Sequence, residues 1–281
     1  MRKVALLTDS SAYIPQELIE DLNISVVPLT LHWDDKSYYD GVDIQAEEFY
    51  TRLAKSSTIP ITSQPTVKQF EDAFDKLLKE GYDVLALLIS SGISGTVGSA
   101  MQAKKNFPDA SIEIVDSQLV SMALGFMVLE AARAAKAGIS LAKCKAIAEA
   151  AFSKIGVFFT VDTLKYLNKG GRINTAKRLL GSALNIKPLM EIRGGKIELL
   201  ESVISRKKAI QRMLDLTAKR IAGSRPVRIA AFHALAEAEA LSMLETAKER
   251  FQPIESILTE VSPVIGTHTG PGSLSIAFMA G

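Results

Sequence analysis

The sequence predicts an α/β protein of two domains: a mostly parallel α/β sheet domain over residues 1–155 and an α+β domain with a mixed sheet over residues 156–281. Three observations carry this. Short apolar runs alternate with helical patterns through the first half, which builds a parallel sheet covered by helices. Past Gly156 the alternation breaks, and Gly194-Gly195 joins two strand-like runs as a hairpin turn would. The chain has 281 residues, room for about two domains at ~150 residues each.

Val4 to Leu7 reads as the first strand and Thr8 to Ser11 as the loop that leaves it. Pro15 to Leu22 is a short helix with proline at an early position. Ile24 to Leu31 is apolar and partly β-branched, a second strand, and Trp33 to Asp43 is a loop or hairpin. Ala46 to Lys55 has helical spacing, with Phe49 and Leu53 four apart. Pro60 and Pro65 exclude a regular helix over Ser56–Pro65. Thr66 and Gln69 form a capping box for a helix whose Val67, Phe70, Phe74, Leu77 and Leu78 share one face, and Gly81 ends it.

Val84 to Ala100 organises the chain. Its apolar run, Val84 to Ile89, stops at Ser90-Ser91-Gly92, as a strand buried on both faces would. Ser94-Gly95-Thr96 then leads into a helix from about Val97 to Asn106. A strand, a turn of small residues and a helix aim free backbone N–H groups at an anion, and the hydroxyls of Ser91, Ser94 and Thr96 add donors without charge. The alternative is a connection with no ligand. Ile112 to Val115 is a further strand, ending in Asp116-Ser117. Helices follow over Leu119–Ala137 and from Ser140 to about Ile155. Ligands sit at the carboxyl ends of such strands, so Thr8–Ser11, Ser90–Thr96 and Asp116-Ser117 should meet there, joined by Thr62-Ser63-Gln64.

In the second half, Val157 to Val161 is a strand and Leu164 to Ile173 is polar and glycine-rich. Thr175 to Leu184 looks helical, and Pro188–Ile192 and Lys196–Val203 flank the hairpin. Helices over Arg206–Ala222 and Glu237–Arg250 alternate with strands over Arg228–Phe232 and Ile254–Val261. Ile265 to Gly272 reads as a glycine-rich loop before a last strand, Ser273–Met279.

Composition excludes several classes. With 33 basic and 31 acidic residues the charge balance points to no nucleic-acid partner. Cys144 is alone, so no intrachain disulfide forms; it reads as a small core residue, and a reducing cytoplasm is the expected compartment. The basic, briefly apolar start lacks the h-region of a signal peptide, and the uncharged run Ser117–Leu129 falls short of the ~20 residues a bilayer needs, so no stable membrane insertion is expected. His32, His233 and His268 lack metal-ligand spacing. His233 ends an apolar strand, a core position, and His32 beside Trp33 looks like a strand-edge residue. His268, among glycines that admit close backbone approach, is a candidate site residue. No dinucleotide or P-loop fingerprint is present. Gly92-Ile93-Ser94-Gly95-Thr96 sits where a nucleophile elbow would, although its last position is Thr rather than Gly, and a triad of Ser94, Asp116 and His268 can be drawn in chain order.

Six motifs, in order, now stand together: TDSS at Thr8–Ser11, TSQP at Thr62–Pro65, SSGISGT at Ser90–Thr96, VDS at Val115–Ser117, LKYLNKGGRI at Leu164–Ile173 and GTHTGPG at Gly266–Gly272. Across nearly the whole chain they resemble the DegV family of bacterial fatty-acid-binding proteins. Members often carry Lys or another residue where Gly92 stands, which bears on the turn's geometry but leaves Ser94 in place. The resemblance implies a two-domain α/β fold with a long-chain fatty acid, such as palmitate or stearate, between or within the domains. It implies a carboxylate held by Thr62 and Ser94, with Ser63, Gly95, Thr96, His268 and Arg172 in support. It also implies a separate fatty acid kinase that phosphorylates the bound carboxyl group for phospholipid synthesis. On that reading no cofactor is used and this chain catalyses no step alone.

Two alternatives remain at this level. Thr62 and Ser94 could be caps of helices or turns, or Ser94 could serve a hydrolase or transferase acting on a small acyl or phosphorylated substrate. The tail is expected to lie against the helix around Met122–Leu129 and the second domain's sheet. The basic Arg206-Lys207-Lys208 is either a docking surface for the kinase or a solvated helix start.

Overall fold

A computed structural model describes residues 2–181 and 186–281. In chain order the first half comprises β1 (Val4–Asp9), α1 (Gln16–Asp21), β2 (Ile24–Val27), β3 (Thr30–Trp33), β4 (Lys36–Tyr39), α2 (Ala46–Lys55), β5 (Ile61–Ser63), α3 (Val67–Lys79), β6 (Asp83–Leu88), α4 (Thr96–Lys104), β7 (Ile112–Asp116), α5 (Ser121–Lys136) and α6 (Leu141–Ala151). The second half comprises β8 (Ile155–Thr160), α7 (Lys165–Lys169), β9 (Lys187–Arg193), β10 (Lys196–Val203), α8 (Arg206–Ile221), β11 (Val227–His233), α9 (Glu237–Phe251), β12 (Glu255–Glu260), α10 (Pro263–Thr269) and β13 (Leu274–Ala280).

Three sheets result. β2-β1-β6-β7 is parallel throughout, with Leu6 opposite both Ile24 and Leu85. Leu85 to Leu88 are fully buried, which is why that segment reads as a continuous apolar run rather than an alternating one. β10-β9-β8-β13-β11-β12 is mixed: only β11 and β12 run parallel. The small sheet β4-β3-β5 is antiparallel and sets Thr62 opposite Leu31 and Ser63 opposite Thr30. The Thr66–Gln69 capping box is formed at both hydrogen bonds, and the Gly194-Gly195 hairpin joins β9 to β10.

α5 is the pivot between the large sheets. Met122 to Leu129 are buried on every side, so this is a central helix rather than a one-faced cover. It packs on β1 and β6 and on β8 and β13. One apolar cluster therefore runs from Leu6 and Leu85 through Phe126 to Val157 and Ala277. Gly125 lets α5 press on the turn after β1; a Cβ there would lie 2.7 Å from the Ala12 carbonyl oxygen.

Five expectations change. Ile24–Leu31 is not one strand: Pro28 and Leu29 break it, β2 stays with β1, and β3 leaves for the small sheet. His32 is therefore on a central strand, not an edge. The helix after Ser140 stops at Ala151, and a short 3-10 turn, Phe152–Lys154, leads into β8. Asn174–Leu179 is 3-10 rather than α-helical, and the end of that expected helix, residues 182–184, lies outside the described residues. Ile265–Gly272 is not a loop through its length. Pro263 at the helix start fixes a favourable φ, so residues 263–269 form α10 and only Gly270 to Gly272 turn.

Candidate functional site

The turn after β6 is built from its own backbone. Asp9, at the end of β1, accepts the Ile89 N–H at 2.8 Å, and the Ile93 and Ser94 N–H groups both donate to the Ser90 carbonyl at 3.0 Å. This tight fold puts the Ser94 hydroxyl one residue before Gly95, the N-cap of α4, where it pairs with the buried Thr96 hydroxyl at 2.8 Å. The Ser90 hydroxyl donates to the Gly195 carbonyl at 2.7 Å and so holds the tip of the β9–β10 hairpin. Gly92 has a physical reason here: a Cβ would lie 2.5 Å from that same Gly195 oxygen.

The second side comes from β5. Thr62 Oγ1 lies 2.8 Å from Nε2 of His268, in the last turn of α10. Ser63 Oγ is held at 2.9 Å by His32 Nε2, and His32 Nδ1 is 2.8 Å from Ser37 Oγ, so His32 pins the Thr62-Ser63 strand. His268 Nδ1 is buried without a partner and faces Gly170, where a Cβ would come within 2.1 Å of it. Burial, then the neighbouring Arg172 charge, lowers the His268 pKa to about 4, so the ring is neutral near pH 7. A buried N–H without an acceptor is rarer than an under-used acceptor. That favours the proton on Nε2, donated to Thr62, which leaves the Thr62 O–H free to donate onward.

Thr62, Ser63, Gln64 and Ser94 border one small pocket of about 30 Å³ together with His268 and Arg172. An apolar slot of about 50 Å³ adjoins it, sharing Ile93, Ile265, His268 and Arg172 and running inward between Phe159, Ile197 and Phe232. Two open grooves reach the pocket from outside. One, about 430 Å³, runs past Ser91–Gly95, Gly171 and Lys196; the other, about 180 Å³, reaches Thr62 and His268. Arg172 borders all four spaces, but its guanidinium donates to the carbonyls of Ile93 (3.3 Å) and Gly170 (2.6 Å). Thr62, Ser63 and Ser94 add uncharged hydroxyl groups to the pocket lining.

Of the four segments expected to converge, two do, and the other two hold the fold. Thr8 donates to the Leu87 carbonyl, and Asp9 accepts from Ser11 N–H and hydroxyl as well as from Ile89. Burial raises the Asp9 pKa against those three donors. Asp116 accepts from Ser91 and from Gln118 N–H. The drawn triad is therefore not assembled: Ser94 pairs with Thr96, His268 with Thr62, and Asp116 with Ser91. Met122–Leu129 packs into the core instead of walling the slot, which meets α5 at Ser121 and touches Val120 just before it; the second-half sheet does line it. Arg206 is spent inside the fold on Glu239 and the Gly272 carbonyl.

Sequence reasoning reached Gln64 and Asp9 only as members of converging segments, and gave Gly170 and His32 no supporting role at the site. TSQP contains Gln64 and GGR contains Gly170, whereas nothing local marks His32, which acts through a strand pairing. Among the described residues no helix is long and apolar enough to cross a membrane, and no group of three His, Cys, Asp or Glu could hold a metal ion.

Comparison with known proteins places this geometry. Residues 3–281 match the family described as "Uncharacterised protein, DegV family". A DegV domain-containing protein of Streptomyces coelicolor is 37% identical over 98% of both chains, and protein DegV of Bacillus subtilis is 32% identical over 98% of both. Among solved structures, a DegV family protein of Thermus thermophilus, described by its fatty acid binding, superposes with a TM-score of 0.94 at 32% identity over the whole of both chains. DegV of Bacillus subtilis, described as a fatty acid binding protein, gives 0.91 at 32% identity, again end to end. The match runs from the first strand to the last and takes in both sides of the Thr62–Ser94 pocket, so the chain belongs to the DegV family.

Proposed function

We propose that this chain binds a long-chain fatty acid, carboxylate at Thr62 and Ser94 and tail in the apolar slot, and presents it to a separate fatty acid kinase. One observation carries the reading: the two hydroxyls border the same small pocket, and that pocket shares four residues with an apolar slot leading inward. Relatives over 30% identical and described as fatty-acid-binding support it. Residues 1–155 supply most of the head-group donors and residues 156–281 most of the tail wall. Ser63, Gly95, Thr96, His268 and Arg172 position these groups rather than neutralise the acid.

The energetics suit a carrier. Burying a methylene is worth ~0.8 kcal/mol, so a chain of about 16 carbons gains at most about 12 kcal/mol. Ordering and association remove several kcal/mol of that, and tight binding still needs no covalent bond. Hydroxyls and the first N–H groups of α4 give a carboxylate charge-assisted hydrogen bonds. They leave its oxygens open to a phosphoryl donor arriving through the groove beside Ser94, which a bidentate arginine would block. No cofactor enters this scheme, the expected compartment is the cytoplasm, and the acyl phosphate would feed phospholipid synthesis.

The test is an organic extract of the purified protein read by mass spectrometry. A long-chain fatty acid is expected, with retention lowered roughly tenfold or more by Thr62→Ala or Ser94→Ala, the loss of one hydrogen bond to a charged group. An extract free of lipid, and no binding of added palmitate or stearate, would overturn the reading.

A further inference from the structure

The slot is not the plain hydrocarbon trough that a saturated tail requires. Its floor is formed by Ser275 of β13 and by Ser273 just before that strand. Ser275 lies in register between Phe159 of β8 and Phe232 of β11, so two rings flank a small residue and leave a groove between them. Alanine at this position would leave the same groove. The Ser275 hydroxyl is therefore surplus for an alkyl chain. It is only 4% exposed and makes no hydrogen bond among the described residues.

A second such group stands at the end of the slot formed by α5. Ser121 lines it, is 5% exposed, and takes a positive φ of 59° that favours glycine. Behind it the buried Tyr13 hydroxyl, also at positive φ, faces both Ser121 and the Ser262 hydroxyl. Buried hydroxyls are nearly always hydrogen-bonded, because leaving one unmade forfeits its hydration without return. Positive φ at two facing residues, and serine hydroxyls in the lining of an otherwise apolar slot, are the pattern of a site built for more than its own side chains.

We infer that the slot recognises an acyl chain bearing a hydrogen-bonding group along its length, of the hydroxy fatty acid class, with Ser275 and Ser121 reading that group. This rests on the fatty-acid reading above and adds the tail chemistry to it. Ser273 does not take part, since its hydroxyl already donates to Thr269. Tyr13 and Ser262 back Ser121 as further donors or acceptors.

The experiment is an equilibrium competition on the full chain between octadecanoate and mono-hydroxyoctadecanoates that differ in hydroxyl position. Wild type, Ser275→Ala and Ser121→Gly are compared, the glycine chosen because it suits the positive φ. In wild type at least one hydroxylated isomer is expected to bind roughly three- to tenfold more tightly than octadecanoate, the span of one net hydrogen bond. The substitutions should return that ratio to about one while octadecanoate binds as before or better. If every hydroxylated isomer binds more weakly than octadecanoate, or if wild type and both variants give one ratio, the inference is wrong and the fatty-acid reading survives. If neither class of lipid binds wild type, both fall.

Discussion

Gly170→Ala isolates the head-group geometry from the fold. Gly170 has φ of −76°, where alanine is at ease, and it follows α7, where replacing glycine alone should stabilise by about 0.5–1 kcal/mol. The obstacle is one contact. The new Cβ would sit 2.1 Å from His268 Nδ1 and 2.8 Å from Cε1, against an ordinary contact of 3.4 Å or more. The ring must retreat by more than an ångström. Its bond to Thr62, now 2.8 Å, then stretches past the length at which a hydrogen bond counts. Thr62 loses the partner that orients its O–H. A net hydrogen bond is worth about 0.5–1.5 kcal/mol, so fatty acid affinity should fall roughly three- to tenfold. Titration calorimetry with palmitate reads the affinity, thermal melting reads the fold, and the imidazole nitrogen shifts in NMR read the His268–Thr62 bond. Wild-type affinity together with unchanged His268 shifts would refute the argument, because the clash would then have relaxed elsewhere.

Three further outcomes follow from the same geometry. The folded-state pKa of His268 is lowered to about 4, so its contribution to stability is present above about 6.5 and lost as pH falls toward 4. Asp40, which accepts from Ser10 and from Val264 N–H, is raised by burial from 3.8 to about 6; its contribution is present at low pH and lost as pH rises through 6. Each is worth at most about 3 kcal/mol and the two oppose. Urea unfolding from pH 7 to 4 should therefore steepen its acid loss in Asp40→Asn and flatten or reverse it in His268→Gln, and parallel curves would contradict this. Gly92→Ala should push the hairpin off the Ser90 hydroxyl and lower stability by about 1–2 kcal/mol in the same assay, with an unchanged midpoint counting against the contact. A fluorophosphonate probe should leave Ser94 unlabelled, because no histidine lies on its hydroxyl; labelling lost in Ser94→Ala would reinstate the hydrolase.

What could be read from the chain and what could not divides along a physical line. The parallel sheet was legible because Val84–Ile89 is apolar without interruption and turn residues follow it. The capping box was legible because Thr66 and Gln69 bond within one turn. The Thr62 and Ser94 pair was reached through the resemblance, since neither neighbourhood says that its hydroxyl meets the other's pocket. What escaped depends on pairings between distant segments. Pro28 moves β3 out of the first sheet, so the strand expected over Ile24–Leu31 splits and His32 becomes central. The GTHTGPG glycines suggest a loop, yet Gly266 sits inside α10, where a Cβ would lie 2.3 Å from the Tyr50 hydroxyl; packing, not turning, requires that glycine.

The same reason explains the character of the site. Gly92 against the Gly195 carbonyl and Gly170 against the His268 ring are both places where the approach is too close for a Cβ. Each approach locks a loop of one half onto a loop of the other, or a hydroxyl-bearing turn onto its support. Loops held this way have little freedom to lose when an anion binds, so small uncharged donors suffice where a mobile site would need a cation. The nearby arginine agrees with this. Arg172 gives hydrogen bonds to two backbone carbonyls, and its charge lowers the His268 pKa. It thereby keeps the ring neutral and its proton available to Thr62. The Ile93 bond is also one of the contacts between the β6 turn and the second half, so Arg172 ties the two sides of the site together.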